Sequence, residues 1–110
     1  MTDTSKTYLV TLGEEITRIN QSKGWNLTIP ENWEDPYKIP AVLMLIVSEV
    51  SEALEAFRKD DKENFREELA DVAIRLLDLC TGLKIDIDSE IQLKLEKNRA
   101  REYRHGGKKV

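Results

Sequence analysis

Apolar residues recur at spacings of three and four along most of the 110-residue chain, which is the period of an amphipathic helix. No run alternates apolar and polar residues for long enough to indicate a strand. In the N-terminal part, the helical spacing places four residues on one stripe: Leu9, Leu12, Ile16 and Ile19. Gly24 is well placed to end this first predicted helix. The pattern therefore predicts an all-α fold.

The three prolines lie in one stretch and separate the first predicted helix from the second. We predict a loop over residues 24–38, because proline removes a backbone donor and breaks a helix. This loop carries both tryptophans, Trp25 and Trp33. Since proline is favoured at the first helical position, the second helix is predicted over about residues 40–58. Residues 41–47 are apolar on every side of this helix, which predicts burial all round.

The acidic pair Asp60-Asp61 is predicted to form the turn after the second helix and to cap the third, as the helix dipole favours. The third helix should cover about residues 62–81, and Gly82 should end it. Its inner face is predicted to hold seven residues: Phe65, Leu69, Val72, Ala73, Leu76, Leu77 and Cys80.

A fourth helix is predicted beyond this point, with Asp86 or Asp88 as its cap, and a basic polar tail follows from about residue 99. No repeat, low-complexity tract or linker interrupts the sequence, so we expect one domain over residues 1–110. We expect a four-helix bundle whose second and third helices form an antiparallel hairpin. Because three short helices supply too little cover for the apolar second helix, copies of the chain should associate.

Two pairs of carboxylates share a spacing of three, which places both members of a pair on one helical face: Glu49 with Glu52, and Glu68 with Asp71. Glu49 lies inside an apolar stripe, where an unpaired carboxylate is very costly. Facing residues of an antiparallel hairpin have position numbers with a constant sum. The position numbers of Glu52 and Glu68 have the same sum as those of Glu49 and Asp71, and this sum is twice the number of the predicted turn position, 60. The two acidic pairs should therefore lie at one level of the hairpin.

Four carboxylates that converge in a partly apolar cleft repel one another unless a cation neutralises them. Oxygen ligands suit hard cations, and Mg²⁺ in particular is shared between carboxylates and substrate phosphates, with Mn²⁺ as the alternative. An acidic residue in a helix more often belongs to a solvated face or an ion pair, and we expect Asp78 to pair with Arg75. Two acidic pairs in matching register favour a metal site.

The sequence around each acidic pair resembles a known family. Residues 45–56 look like the first signature of the MazG-like nucleotide pyrophosphohydrolases, and residues 67–79 resemble the second. Residues 98–108 are similar to the ending of one subgroup, so the resemblance covers roughly residues 40–108. It implies hydrolysis of a ribo- or deoxynucleoside triphosphate to the monophosphate and pyrophosphate, which fits housecleaning of the nucleotide pool. It also implies a homodimer or homotetramer whose subunits share the active site.

By this resemblance, four residues match the family's Mg²⁺-binding carboxylates, which are also its catalytic residues: Glu49, Glu52, Glu68 and Asp71. The cation would neutralise phosphate charge while a water molecule attacks the α-phosphorus in line. One of these carboxylates or a neighbour would act as general base, and the residues leave open which one. Ser48 departs from the family, which often has another Glu there, and this change would weaken an outer metal contact.

The net charge of −4 divides unevenly along the chain, because residues 92–110 carry +5 against −9 for the rest. Such a basic end could hold the triphosphate that the metal engages from the other side. By resemblance, Lys94 and Asn98 match a pattern that reaches nucleotide phosphate or sugar, and Arg104 is a further candidate in the same basic end. A solvated tail is the alternative for each. Trp25 is a candidate for stacking on the base, against the alternative that it covers the core.

The composition excludes several classes of protein. The longest apolar run, residues 39–47, is far shorter than the roughly 20 residues that span a bilayer, and the N-terminus lacks the pattern of a signal peptide. One cysteine, Cys80, excludes a disulfide framework, and one histidine, His105, excludes a di-iron centre built on Glu-x-x-His pairs. We expect a reduced, cytoplasmic protein without membrane or nucleic-acid partners. A non-catalytic helical dimerisation or adaptor module is the alternative to an enzyme.

Overall fold

The computed structural model describes residues 7–25 and 27–101, and its regular elements there are all helical. A 3₁₀ helix, Pro30–Glu34, lies in the proline-rich loop between the first two of four α-helices. These are Tyr8–Ser22 (α1), Lys38–Arg58 (α2), Lys62–Gly82 (α3) and Ile87–Ala100 (α4). The prediction of an all-α fold is confirmed. Within the same residues, no helix is both long and apolar enough to cross a membrane.

The first three helices end in the same way, on a residue in the left-handed backbone conformation: Gly24 (φ 73°), Asp60 (φ 55°) and Lys84 (φ 60°). In each case the N–H of the following residue donates to a carbonyl five positions earlier, which satisfies the last helical turn. The predicted roles of Gly24 and of Asp61, which caps α3 through its side chain, are confirmed. The prediction that Gly82 ends the third helix is also confirmed, because Gly82 is the last residue of α3.

Gly82 also has a packing role. A Cβ atom at this position would collide with the backbone of Thr28, including its carbonyl oxygen. Thr28 is buried, so the loop that follows Trp25 rests directly on α3 at the only kind of residue that leaves room for it. The glycine therefore allows the loop to pack closely against the C-terminal end of α3.

α3 lies in the middle of the structure, because α1 and α2 both pack mainly on it. The buried apolar core of the described residues is small and centres on this helix: Ile16, Ala53, Ala56, Leu77, Leu79, Cys80 and Leu83. As a result, α2 is covered on one side only within a single chain.

Because of this one-sided cover, residues 41–47 are not buried on every side within a single chain. Four of their side chains are 45–61% exposed: Leu43, Met44, Leu45 and Val47. The predicted inner face of the third helix is also only partly correct. Leu77 and Cys80 are buried and Phe65 and Val72 half-buried, whereas Leu69, Ala73 and Leu76 are exposed. The hydropathy pattern thus identified side chains whose removal from water is favourable, but it did not identify the residues that cover them.

α4 is attached to α1 through Asp88, which is buried although it is charged. Its two carboxylate oxygens accept hydrogen bonds from the Leu9 N–H at 3.1 Å and the Val10 N–H at 2.8 Å. These are donors in the first turn of α1, where a negative charge is favourable. Asp86 is the cap of α4 itself, through the Ser89 N–H at 3.1 Å.

We predict that Gly82→Ala lowers the melting temperature of the protein. Alanine should favour the helix by about 1 kcal/mol, but the collision with the Thr28 backbone should cost about 1–3 kcal/mol. Ala70→Gly, at an exposed position of the same helix, measures the helix-propensity difference alone. An unchanged or higher melting temperature for Gly82→Ala, measured by circular dichroism, would contradict the close packing of this loop on α3.

Candidate metal centre

Three carboxylates meet between α2 and α3. One oxygen from each of Glu49, Glu68 and Asp71 lies within 4.8 Å of the others. Glu49 comes from α2 and is only 8% exposed, while the other two come from α3. On α2, the next buried positions after Glu49 are the small residues Ala53 and Ala56, which suit a close approach of the two helices. Three of the four predicted metal ligands are therefore brought together.

The fourth predicted ligand, Glu52, lies outside this group of three but next to it. It is exposed, and it lines a shallow cleft together with Glu68. Its carboxylate is close enough to Glu68 to raise the pKa of that residue. Of the four carboxylates predicted to lie at one level, three thus form a cluster and Glu52 lies at its edge.

Two oxygens of this cluster lack hydrogen-bond partners. Glu49 Oε2 and Glu68 Oε2 are shielded from solvent, and when both carboxylates are ionised no donor among the described residues reaches them. Leaving a carboxylate oxygen shielded without a partner is unfavourable, because its lost contact with water is not replaced. A hard divalent cation would satisfy both oxygens, and oxygen ligands are the kind it prefers. The residues therefore fit such a cation.

The electrostatic environment of the cluster shifts the pKa values of Glu49 and Glu68 in opposite directions. Hydrogen bonding to Glu49, together with burial and the nearby charge of Glu52, raises the pKa of Glu68 to about 7. The pKa of Glu49 is lowered, chiefly by the same hydrogen bond to Glu68 and further by Arg75. Without a cation, the pair of carboxyls therefore favours holding one proton below about pH 7, and Glu68 is the group whose pKa is raised.

Arg75 contacts the cluster from the next turn of α3. Its Nε–H donates to Glu49 Oε1 at 3.1 Å. The expected ion pair of Arg75 with Asp78 is wrong, because Asp78 instead accepts a hydrogen bond from the Thr17 hydroxyl of α1 at 2.7 Å. The buried carboxylate of Glu49 thus pairs with the guanidinium of Arg75, whereas the more exposed Asp78 accepts a hydrogen bond from a neutral hydroxyl.

An open cavity of about 440 Å³ adjoins the cluster, which is within the usual size range of small-molecule sites. Its walls come from α1, the following loop, α2 and α3: Asn20, Trp25, Glu49, Asp71, Ile74, Arg75 and Asp78. Trp25, the predicted stacking residue, is therefore next to the carboxylates. Trp33 is exposed and does not line this cavity.

The predicted phosphate-binding residues lie elsewhere. Lys94 and Asn98 are exposed on α4, which packs on α1, and neither lines the cavity. Arg104 and His105 lie outside the described residues. Within one chain, the structure does not bring the basic end to the carboxylates, and the binding role of these residues stays a prediction.

Sequence reasoning missed Arg75 and Asn20 as residues of the site. A signal for Arg75 was present, because it follows Asp71 by one helical turn and its long side chain can reach across to Glu49. Asn20 carried no such signal, since its place depends on how α1 packs on α3.

The comparisons with known proteins agree with the position of this cluster. The sequence model of the MazG nucleotide pyrophosphohydrolase domain matches residues 39–105, which is more than half of the chain. The matched span contains all four predicted carboxylates, while α1 precedes it. No curated protein and no solved structure gives a significant match.

We predict that Glu68 makes the metal-free protein less stable as pH rises from about 4.5 to about 7. In this range the folded protein keeps the proton on Glu68, whereas an ordinary glutamate of the unfolded chain, with a pKa of 4.5, has released it. The contribution is therefore fully favourable below 4.5 and is lost as pH rises through the folded-state value.

The measurement is a melting-temperature series in chelator from pH 5 to pH 8. Glu68→Gln removes the titration, so the variant should become more stable relative to the wild type as pH rises. Glu67→Gln, at the exposed neighbouring position, should show no such trend. A difference between wild type and Glu68→Gln that does not change with pH would contradict the prediction.

Proposed function

Since the chain belongs to the MazG nucleotide pyrophosphohydrolase domain family, we propose that it hydrolyses a ribo- or deoxynucleoside triphosphate to the monophosphate and pyrophosphate. The family is generally dependent on divalent metal ions, and we propose Mg²⁺ as the ion, with Mn²⁺ as the alternative. The observation that carries this proposal is the pair of buried, unpartnered oxygens, Glu49 Oε2 and Glu68 Oε2, beside a cavity of nucleotide-compatible size.

The proposed ligands are Glu49, Glu52, Glu68 and Asp71. When bound, the cation supplies positive charge that neutralises the phosphates and favours attack at the α-phosphorus. Glu49 is suited to this task because its lowered pKa keeps it ionised. Glu68 has to release its proton before it can act as a ligand, so cation binding should be coupled to proton release near pH 7.

The same four carboxylates are the proposed catalytic residues, and one of them would accept the proton of the attacking water. Trp25 is proposed to stack on the base, because it lines the cavity and its side chain is 62% exposed and free to meet a ring. We propose that three residues of the basic end contact the phosphate or sugar of a nucleotide bound in the cavity of another copy of the chain: Lys94, Asn98 and Arg104. Lys94 and Asn98 do not line the cavity of their own chain.

The proposal includes a homodimer or homotetramer. Large apolar side chains of α2 and α3 remain exposed in a single chain: Leu43, Met44, Leu45, Val47, Val50, Leu54, Leu69 and Leu76. Many exposed apolar side chains on two neighbouring helices favour association, because large apolar patches are rare on monomeric proteins. We also propose that residues 1–110 form one domain with α2 and α3 as an antiparallel hairpin, which a connection of three residues supports.

A non-catalytic helical adaptor would also account for the exposed apolar surface. It gives no reason for carboxylates that share a proton inside a helix interface, where apolar residues would be more stable. The orphaned oxygens of Glu49 and Glu68 therefore favour the enzyme over the adaptor.

We predict that Glu68→Gln and Asp71→Asn each reduce pyrophosphate release by at least about 100-fold, because they remove a charged ligand while keeping its shape. The assay is a panel of ribo-, deoxyribo- and modified nucleoside triphosphates with Mg²⁺. Glu67→Gln, one position from the cluster and exposed, is the matched control and should keep wild-type activity. Full activity in both ligand variants, or no pyrophosphate from any nucleotide with the wild type, would overturn the proposal.

We predict a particle mass of two or four times 12.7 kDa in sedimentation equilibrium. Met44→Glu places a charge in the exposed apolar face of α2 and should shift the mass towards that of one chain. Gln21→Glu, at an exposed polar position of α1 rather than on the apolar face of α2, is the control and should leave the assembly intact. A wild-type mass of 12.7 kDa that does not change with concentration would contradict the proposed assembly.

A further inference from the structure

The cavity beside the carboxylates is strongly acidic. Glu49, Asp71 and Asp78 line it, and Arg75 is the one cationic side chain among the described residues that do so. A nucleoside triphosphate brings several negative charges of its own. Even with a bound cation to engage part of that charge, the cavity needs a further positive group that faces the substrate.

The side chain of Arg75 has hydrogen-bonding capacity left for a ligand. A guanidinium carries five N–H donors in a planar fork, and only the Nε–H of Arg75 is engaged by another described residue, through Glu49 Oε1 at 3.1 Å. The side chain is 39% exposed, in contrast to 11% for that of Glu49. The Nη groups of Arg75 are therefore the part of this ion pair that remains for a partner from the cavity.

The position of Arg75 suits a phosphate partner. It follows Asp71 by four residues on α3, which places the two side chains on the same face about one helical turn, or roughly 5–6 Å, apart. Phosphate oxygens that meet a cation held by Glu49 and Asp71 would thus lie within reach of the guanidinium. Arginine is the residue best matched to phosphate, because its fork can donate two parallel hydrogen bonds.

We propose that Arg75 is a substrate-binding residue, whose Nη groups bind a phosphate of the nucleotide while its Nε–H holds Glu49 Oε1. The second contact leaves Glu49 Oε2 for the cation, so Arg75 also positions a metal ligand. This inference rests on the proposed function, and it assigns the phosphate a contact within the same chain, independent of the basic C-terminal end.

The test compares Arg75→Gln and Arg75→Lys with the wild type in binding and in kinetics. Binding by calorimetry uses a non-hydrolysable α,β-imido nucleoside triphosphate with Mg²⁺, and separately the corresponding nucleoside, which has no phosphate. Arg75→Gln should weaken binding of the triphosphate analogue by about 10-fold or more, as expected for lost hydrogen bonds to a charged group, and leave nucleoside binding unchanged. In turnover it should raise KM more than it lowers kcat.

Arg75→Lys keeps a positive charge beside Glu49 but lacks the fork, so it should keep part of the affinity for the analogue. Arg66→Gln, at an exposed position of α3 that does not line the cavity, is the control and should bind like the wild type. Melting temperatures in chelator show that each variant is folded. The shift in melting temperature caused by Mn²⁺ alone reports the positioning of Glu49, and Arg75→Gln should reduce it.

Unchanged binding of the triphosphate analogue by Arg75→Gln would overturn the inference, as would an equal loss of affinity for the nucleoside. These results are distinct from failure of the proposed function. If the wild type releases no pyrophosphate but loses triphosphate binding on Arg75→Gln, the activity is wrong and the phosphate contact stands. If the wild type is active and KM is unchanged in Arg75→Gln, the activity stands and the phosphate contact is wrong.

Discussion

The buried carboxylate of Glu49 is the constraint on which the rest of the site depends. A glutamate that is 92% removed from solvent inside a helix interface is unfavourable unless other groups compensate its charge. One oxygen is compensated by Arg75, and the other has no donor among the described residues. Protonation of Glu68, whose pKa is raised to about 7, removes one of the two neighbouring charges. A divalent cation would bind both unpartnered oxygens, and this gain would favour cation binding.

Much of the fold and the carboxylate cluster could be predicted because both follow from local rules. Helical spacing located four helices. The constant-sum rule predicted four carboxylates at one level, and three of them, Glu49, Glu68 and Asp71, lie together. The partner of Arg75 could not be predicted in the same way. Its three-residue spacing from Asp78 suggested a local ion pair, but such an exposed pair contributes only about 0.2–0.5 kcal/mol. The need to compensate a buried carboxylate is larger, and it depends on burial that spacing alone does not give.

The burial predicted for residues 41–47 is not complete within a single chain, for a different physical reason. Hydropathy reports that a surface gains free energy when water leaves it, and it does not distinguish cover by the same chain from cover by another. Because α1 and α2 both pack on α3, none of the described helices packs over the outer side of α2. The apolar pattern that predicted burial therefore describes a surface of the single chain, which the proposed assembly of copies would cover.

The family match and the cavity do not coincide, which bears on how selectivity could arise. The matched span supplies the carboxylates and Arg75, whereas Asn20 and Trp25 lie before it and complete the wall. This preceding segment is held in place by contacts of its own: the Thr17 hydroxyl with Asp78, and the α1 N-terminus with Asp88. Part of the cavity wall is thus built by residues outside the matched span. Chemistry at the phosphates can then be common to the family, while the groups that face the base differ with the sequence of α1 and the loop after it.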